Sequence, residues 1–382
     1  MILDDNIKIV YSNGKSIQKV YSYGELVWEY KTQDDDIDYS VLPFTVKAVA
    51  DDVSVKLSGD TGLIFSYKYS INGGSWEKTY TSDTINIKKG DTIAFKGTKI
   101  YRCVIEGLSD IYGNIMSLQY DDNFIGQTVW LLDKILGYGY FESSDIRNAH
   151  NLILPATTLT ERCYQSMFYN CSSLTTPPEL PATMLANACY HHMFDGCTSL
   201  TTPPELPATT LTERCYQSMF YNCSSLTTAP ELPATTLTDE CYNNMFRDCT
   251  SLTTPPELPA TMLANTCYHS MFYNCTSLTT APELPATRLK NACYQSMFYN
   301  CSSLTTAPEL PATMLALGCY TTMFYDCDSL NYIKCYAQYA IDDYIYQFAE
   351  GASPTGKLVC YEEAADAFRE HIPSTWTVEY FT

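Results

Sequence analysis

The pattern Cys-Tyr-x-x-Met-Phe-x-x-Cys begins at Cys163, Cys189, Cys215, Cys241, Cys267, Cys293 and Cys319, each 26 residues after the one before. Such a period forces a stack. One unit cannot bury enough apolar side chain to offset the entropy of ordering its own backbone, whereas neighbours in register bury each face twice. One complete unit, starting at Leu154, reads LPATTLTERCYQSMFYNCSSLTTPPE. In its first half Cys163, Met167 and Cys171 are four apart, with Tyr164 and Phe168 beside them, so the spacing predicts a short helix whose apolar stripe faces the core. The residue before the second cysteine is Asn170, Gly196, Asn222, Asp248, Asn274, Asn300 or Asp326. These are the types that tolerate a left-handed backbone just past a helix end. Then comes Leu174-Thr175-Thr176 and a proline at Pro178, repeated at Pro204, Pro230, Pro256, Pro282 and Pro308. Proline has no ladder donor, so short parallel strands of about three residues are predicted.

On either side the pattern changes. Residues 1–37 alternate in the β manner around Asn13-Gly14, a hairpin-type turn, and close on the polar run Asp34-Asp35-Asp36. Residues 38–100 hold several short alternating segments, among them Phe44-Thr45-Val46 and Ile85-Asn86-Ile87, parted by Gly and Asp turns. A small immunoglobulin-like β-sandwich is expected there. Residues 101–153 are read as the cap that covers the first repeat, 154–335 as the repeats, and 336–382 as a C-terminal cap with an amphipathic helix over Glu362–His371 and a terminal strand over Trp376–Phe381. The fold class expected is therefore α+β: a solenoid of seven 26-residue repeats, each a short parallel strand plus a short helix, preceded by small β domains and closed by an α/β cap.

With 43 acidic against 23 basic side chains the formal charge is −20, which repels a phosphate backbone and an anionic lipid surface, so nucleic acid is not an expected partner. No stretch has the roughly 18–20 consecutive apolar residues of a membrane span, and the start, Met1-Ile2-Leu3-Asp4-Asp5, lacks the basic and apolar runs of a secretory signal. Of 17 cysteines, 14 belong to the repeated pair. Seven residues between partners is wider than structural zinc sites use, and no histidine recurs with them. Buried reduced thiols acting as small hydrophobes are favoured; the separation of about 5 Å between neighbouring strands is also compatible with bridging.

The motifs Leu-Pro-Ala-Thr-x-Leu and Cys-Tyr-x-x-Met-Phe-x-x-Cys-x-Ser-Leu resemble the BspA-type leucine-rich repeats of gut bacteria and their phages. The resemblance covers about half the chain. Tyr69-Ser70-Ile71-Asn72-Gly73-Gly74-Ser75-Trp76, Gly113-Asn114-Ile115-Met116-Ser117-Leu118 and Ile372-Pro373-Ser374-Thr375-Trp376 are similar to the usual companions of such repeats. Ile17–Trp28 resembles a short β element found near the N-termini of phage virion and tail proteins, which implies an attachment module; the plainer reading is one more hairpin.

Three columns of side chains are candidates for function. Thr175, Thr201, Thr227, Thr253, Thr279 and Thr305 make a ladder of hydroxyls that would dock a glycan or a protein, or would simply be β-formers on an exposed strand. Tyr169, Tyr221, Tyr273 and Tyr299 lie among the most variable polar positions, where recognition surfaces use tyrosine. Glu179, Glu205, Glu231, Glu257, Glu283 and Glu309 recur in register; within one Debye length of about 8 Å they repel unless solvated or bound to a cation such as Ca²⁺, and the solvated reading is favoured. No nucleophile with its base, phosphate loop or recurring histidine partner is present, so neither catalysis nor a cofactor is expected. The expectation is a non-enzymatic virion fibre or decoration protein, held to other virion proteins through its N-terminal β elements and binding a host-surface protein or glycan. The alternatives are a bacterial cell-surface adhesin of the BspA type and a cytoplasmic scaffold.

Overall fold

The computed structural model describes residues 7–12, 16–22, 25–29, 37–59, 65–98, 100–129 and 139–381. At the N-terminus β1 (Ile7–Ser12), β2 (Ser16–Ser22) and β3 (Glu25–Glu29) form an antiparallel meander in that order. The Asn13-Gly14 turn and the Asp34-Asp35-Asp36 run lie outside the described residues.

Two sheets follow. The strands β4 (Thr45–Ala48), β5 (Val53–Ser58), β6 (Ser66–Ile71), β7 (Glu77–Tyr80), β8 (Thr84–Ile87), β9 (Thr92–Lys96), β10 (Arg102–Glu106), β11 (Ser109–Asn114), β12 (Ile146–Asn148) and β13 (Leu152–Ile153) divide between them. One sheet runs β10-β5-β8 and the other β12-β11-β4-β9-β6-β7, with β13 also on β11. Alternation places Val53, Val55 and Leu57 of β5 against Ile93 and Phe95 of β9, all buried. The sheets do not stop at residue 100. β10 pairs with β5 and β11 with β4, so residues expected in the solenoid cap complete the sandwich instead. The reason is that Cys103, Ile105 and Ile111 alternate inward and need the same core.

β11 turns the architecture from antiparallel to parallel, because β12 and β13 both lie parallel to it. From there the chain enters the repeats. Phe141 of the lead-in stacks on Phe168 with centroids 5.3 Å apart, so sandwich and repeats share a continuous core.

The repeat backbone corrects the expected helix. No helix forms between Leu154 and Leu330. Arg162, Ser166 and Asn170 have φ of 59°, 54° and 56°, and the equivalent positions stay left-handed through Gly318, Thr322 and Asp326. An α-helix needs φ near −63° at every residue. Hydrogen bonds alternate instead. Cys163, Gln165, Met167, Tyr169 and Cys171 donate back three residues, whereas Arg162, Tyr164, Ser166, Phe168 and Asn170 donate to Asn187, Cys189, His191, Met193 and Asp195 of the next repeat, at 2.7–3.0 Å. The segment is a run of tight turns whose unit is four residues long. That unit keeps Cys163, Met167 and Cys171 on one buried side, which is why it reads as helical in sequence. The left-handed expectation at Asn170 and its equivalents holds, but for a turn and not for a helix end. Gly196 alone in that column lacks a side chain: at φ +75° an added Cβ would meet Asn170 Oδ1 at 2.1 Å.

The expected three-residue strands are reduced further. Among the described residues the repeats make only isolated parallel bridges, such as Thr228 to Thr254 and Thr236 to Met262. A proline directly after the threonines at Pro177, Pro203 and Pro255, or one residue later at Pro230, Pro282 and Pro308, removes a donor that would extend a ladder.

Inside the stack, identical rings form columns. Tyr190 lies on Tyr216 at 5.7 Å and 1°, and Phe220 on Phe246 at 5.6 Å and 1°. All 17 cysteines are free and buried. The second thiol of each pair donates to a phenylalanine carbonyl one repeat back, as Cys223 does to Phe194 at 3.1 Å and Cys249 to Phe220 at 3.0 Å. Burial pushes these thiols up, Cys171 to about 12, so they are held protonated. At the far end Phe348 meets both Tyr320 and Phe324, at 6.0 and 5.5 Å, and closes the ring columns. Beyond it β14 (Tyr332–Lys334), β15 (Lys357–Cys360) and β16 (Thr377–Tyr380) form a parallel sheet, and the eight-residue helix Glu362–Arg369 packs Ala364, Ala365 and Phe368 inward. Both the helix and the last strand lie within the ranges the pattern predicts.

Phe246 is 0% exposed between Phe220 and Phe272. Phe246→Ala should therefore cost about 3–5 kcal/mol, the range for an aromatic ring removed from a close-packed core. Denaturant melting of the full chain measures it, and a loss below about 1 kcal/mol would show that the ring column carries little of the stability.

Candidate functional site

The sequence Thr-Thr-(Pro/Ala)-Pro-Glu-Leu-Pro turns a corner in the first six repeats, and these corners line grooves. One part, of about 710 Å³, runs from His150 and Thr175 to Glu205 and Pro207. A second part of about 700 Å³ shares Thr201–Glu205 with the first and continues to Glu231 and Pro233, so the two are one groove. A third, of about 550 Å³, spans Thr279 to Pro311. Pro178, Pro204, Pro230 and Pro308 are buried in the floor, while the threonines and glutamates stand exposed above it. Thr175, Thr201, Thr227, Thr253, Thr279 and Thr305 are all exposed. Some are tied to the frame: Thr175 Oγ1 donates to the Arg147 carbonyl at 3.0 Å and Thr253 Oγ1 to the Thr227 carbonyl at 3.2 Å, which leaves their lone pairs outward.

The glutamates share this groove with the threonines, a juxtaposition that spacing alone does not reveal. Glu309 meets Lys334 Nζ at 2.8 Å. Among the described residues, Glu179, Glu205, Glu231, Glu257 and Glu283 form no ion pair, and no three of the potential metal-ligating side chains His, Cys, Asp and Glu converge. Glu179, Glu205 and Glu231 thus lie as separate charges spaced along the continuous trough.

The tyrosine column lies elsewhere and lines none of these grooves. Tyr273 stacks on Tyr299 at 4.4 Å and Tyr299 on Tyr325 at 4.9 Å. Arg247 covers the other face of Tyr273 at 4.1 Å and reaches Tyr221 at 5.7 Å. With both faces occupied, the half-buried rings of Tyr273 and Tyr299 offer edges and hydroxyls outward, not the flat platform on which a sugar would stack. Tyr169 ends the column near His192, ring to ring at 6.4 Å.

The second repeat departs from the rest at His192 and Asp195, which lie beside His191, a position that is histidine again at His269. His192 Nδ1 lies 2.6 Å from Asp195 Oδ2, and the two imidazoles are 4.0 Å apart. Burial first, then the charges of His192, Arg214 and Arg162, lowers the His191 pKa to about 3. Neither histidine has a nucleophile placed against it by any hydrogen bond. Sequence reasoning missed two parts of the groove: the proline floor, read only as strand termination, and Lys334. The doubled Pro177-Pro178 with Pro181 was the available signal for a turned, concave corner.

The fold defines a leucine-rich repeat region followed by a short parallel sheet. The family model for a BspA-type leucine-rich repeat region matches six copies over residues 162–304 and 213–350, and the chain is a BspA-like leucine-rich repeat protein. No curated protein and no solved structure matches it significantly. Repeats of this type point to a protein-interaction or adhesin role. No helix among the described residues is long and apolar enough to cross a membrane.

The unfolded chain protonates His191 near the ordinary 6.5, while the folded chain resists until about 3. Its contribution is therefore intact above 6.5 and is lost as pH falls toward 3. His191→Gln, which restores the residue found at Gln165 and Gln217, should lose less melting temperature between about pH 7 and pH 4 than the parent. Parallel acid-side slopes for the two proteins would show that His191 is solvated.

Proposed function

We propose that this protein is a non-enzymatic recognition protein whose solenoid of seven repeats presents the threonine–proline–glutamate groove to a host-surface protein or glycan. The observation that carries this reading is the groove itself. Similar corners from three successive repeats line one continuous trough, its floor apolar and its rims polar, the combination that interfaces use to fix a partner. The tyrosine column, its faces already covered, serves mainly to hold the stack, with its hydroxyl edges as a secondary contact surface. Thr175→Trp, Thr201→Trp and Thr227→Trp together fill the trough from exposed positions. Binding of the full chain to host cells or to arrayed host proteins and glycans should fall roughly tenfold, about 1.4 kcal/mol. A control triple change at Met184, Met262 and Met314, exposed on another part of each repeat, should leave binding unchanged. The opposite pattern would remove the groove from the mechanism.

For its location, display on a phage virion is favoured by the resemblance of Ile17–Trp28 to virion β elements, with a bacterial cell surface as the alternative. The meander β1-β2-β3 would then be the anchor to other virion proteins. Mass measurement of purified particles should find the chain among their proteins; particles without it would leave the cell-surface reading.

A further inference from the structure

Building on the groove as the recognition surface, we infer that its occupant is an extended basic peptide segment with lysine or arginine at about every second residue. Three observations converge on this. Glu179, Glu205 and Glu231 stand exposed along one continuous trough and have no ion pair among the described residues. The end of the column shows what answers such a carboxylate: Glu309 is met at 2.8 Å by the ammonium of Lys334, carried on the extended segment Tyr332–Lys334 that stands in place of the corner in the seventh repeat. The chain thus supplies its own example of lysine from an extended strand closing a groove glutamate. The third is the row of exposed prolines Pro181, Pro207 and Pro233 lining the trough, which offers apolar surface to the aliphatic stems of such side chains.

The spacing agrees. Neighbouring phenylalanines of the stack lie 5.5–5.8 Å apart, which measures the step from repeat to repeat. An extended or polyproline-type chain advances about 3.1–3.4 Å per residue, so alternate residues fall about one repeat apart, and flexible four-carbon stems take up the difference. Threonine hydroxyls on the rim can then pair with main-chain groups of the segment. Other occupants fit less well. A neutral glycan leaves the carboxylates unanswered, an anionic one is repelled by a chain of net charge −20, and a bound Ca²⁺ needs converging oxygens that the separated glutamates do not provide.

The test uses the full chain and a synthetic peptide of about ten residues alternating lysine and threonine. Calorimetric titration should give saturable binding that weakens roughly tenfold or more between about 50 and 200 mM salt, with none for the same peptide acetylated on its lysines. Glu179→Gln, Glu205→Gln and Glu231→Gln together should abolish binding while leaving the melting temperature unchanged, since all three are exposed. No saturable binding, equal binding of the acetylated peptide, or equal binding by the triple variant would each overturn the proposal. If the tryptophan variants still lose host binding while the peptide fails, only the occupant falls; if neither has an effect, the groove itself falls.

Discussion

The hydrogen bonds between one repeat and the next are what the rest of this protein depends on. Every second residue of the turn segment donates its N–H across the gap, from Tyr164 to Cys189, from Phe168 to Met193, and on through Phe324 to Phe348. To aim those donors outward the backbone accepts left-handed φ at three positions per repeat, most of them not glycine. Such residues cost on the order of 1 kcal/mol or more each, comparable with the net value of the hydrogen bond their own N–H makes to the next repeat. The strain is held because the same step buries two rings, a methionine and two thiols against their copies. A single unit would keep the strain and lose the bonds, so the conformation exists only in the stack.

That dependence explains the chemistry of the columns. The polar column at Asn170 and its equivalents closes on itself where it can, Asn274 donating to Asp248 at 2.8 Å and Asn300 to Asn274 at 2.7 Å. The thiols of the second cysteine column each find a carbonyl, so a small polarizable group fills the core without leaving its proton idle. The outer column tolerates exchange where a neighbour answers the new side chain: Asp195, though buried, turns to His192, and Arg247 slots between Tyr221 and Tyr273 as though it were another ring. The groove comes from the part of the repeat with fewest backbone bonds. There prolines end the parallel bridges and bend the chain, and threonine and glutamate are left standing over an apolar floor.

Much of this was legible in the residues. The period, the inward set Cys163, Tyr164, Met167, Phe168 and Cys171, the left-handed backbone at Asn170, and the terminal helix and strand all follow from spacing and residue type. The helix did not, because a spacing of four does not distinguish a helical turn from a four-residue turn unit. The strands did not, because two threonines between a buried leucine and a proline are too few to hold a ladder. The sandwich outran its expected end because β10 and β11 alternate in the same manner as the strands before them, and composition marks no break between them. Each candidate column was legible by itself, while the meeting of threonine with glutamate in one trough, and the exclusion of tyrosine from it, were not.

By itself, the sequence determined register: side chains recurring at a constant interval have to pile on their copies, and those without charge have to pile inside. Only the tertiary structure decided where the backbone hydrogen bonds go. A segment alone would satisfy them within itself, as a helix does; the presence of an identical neighbour on each side makes bonding across the gap the better solution, and that choice sets both the turn conformation and the groove it leaves on the surface.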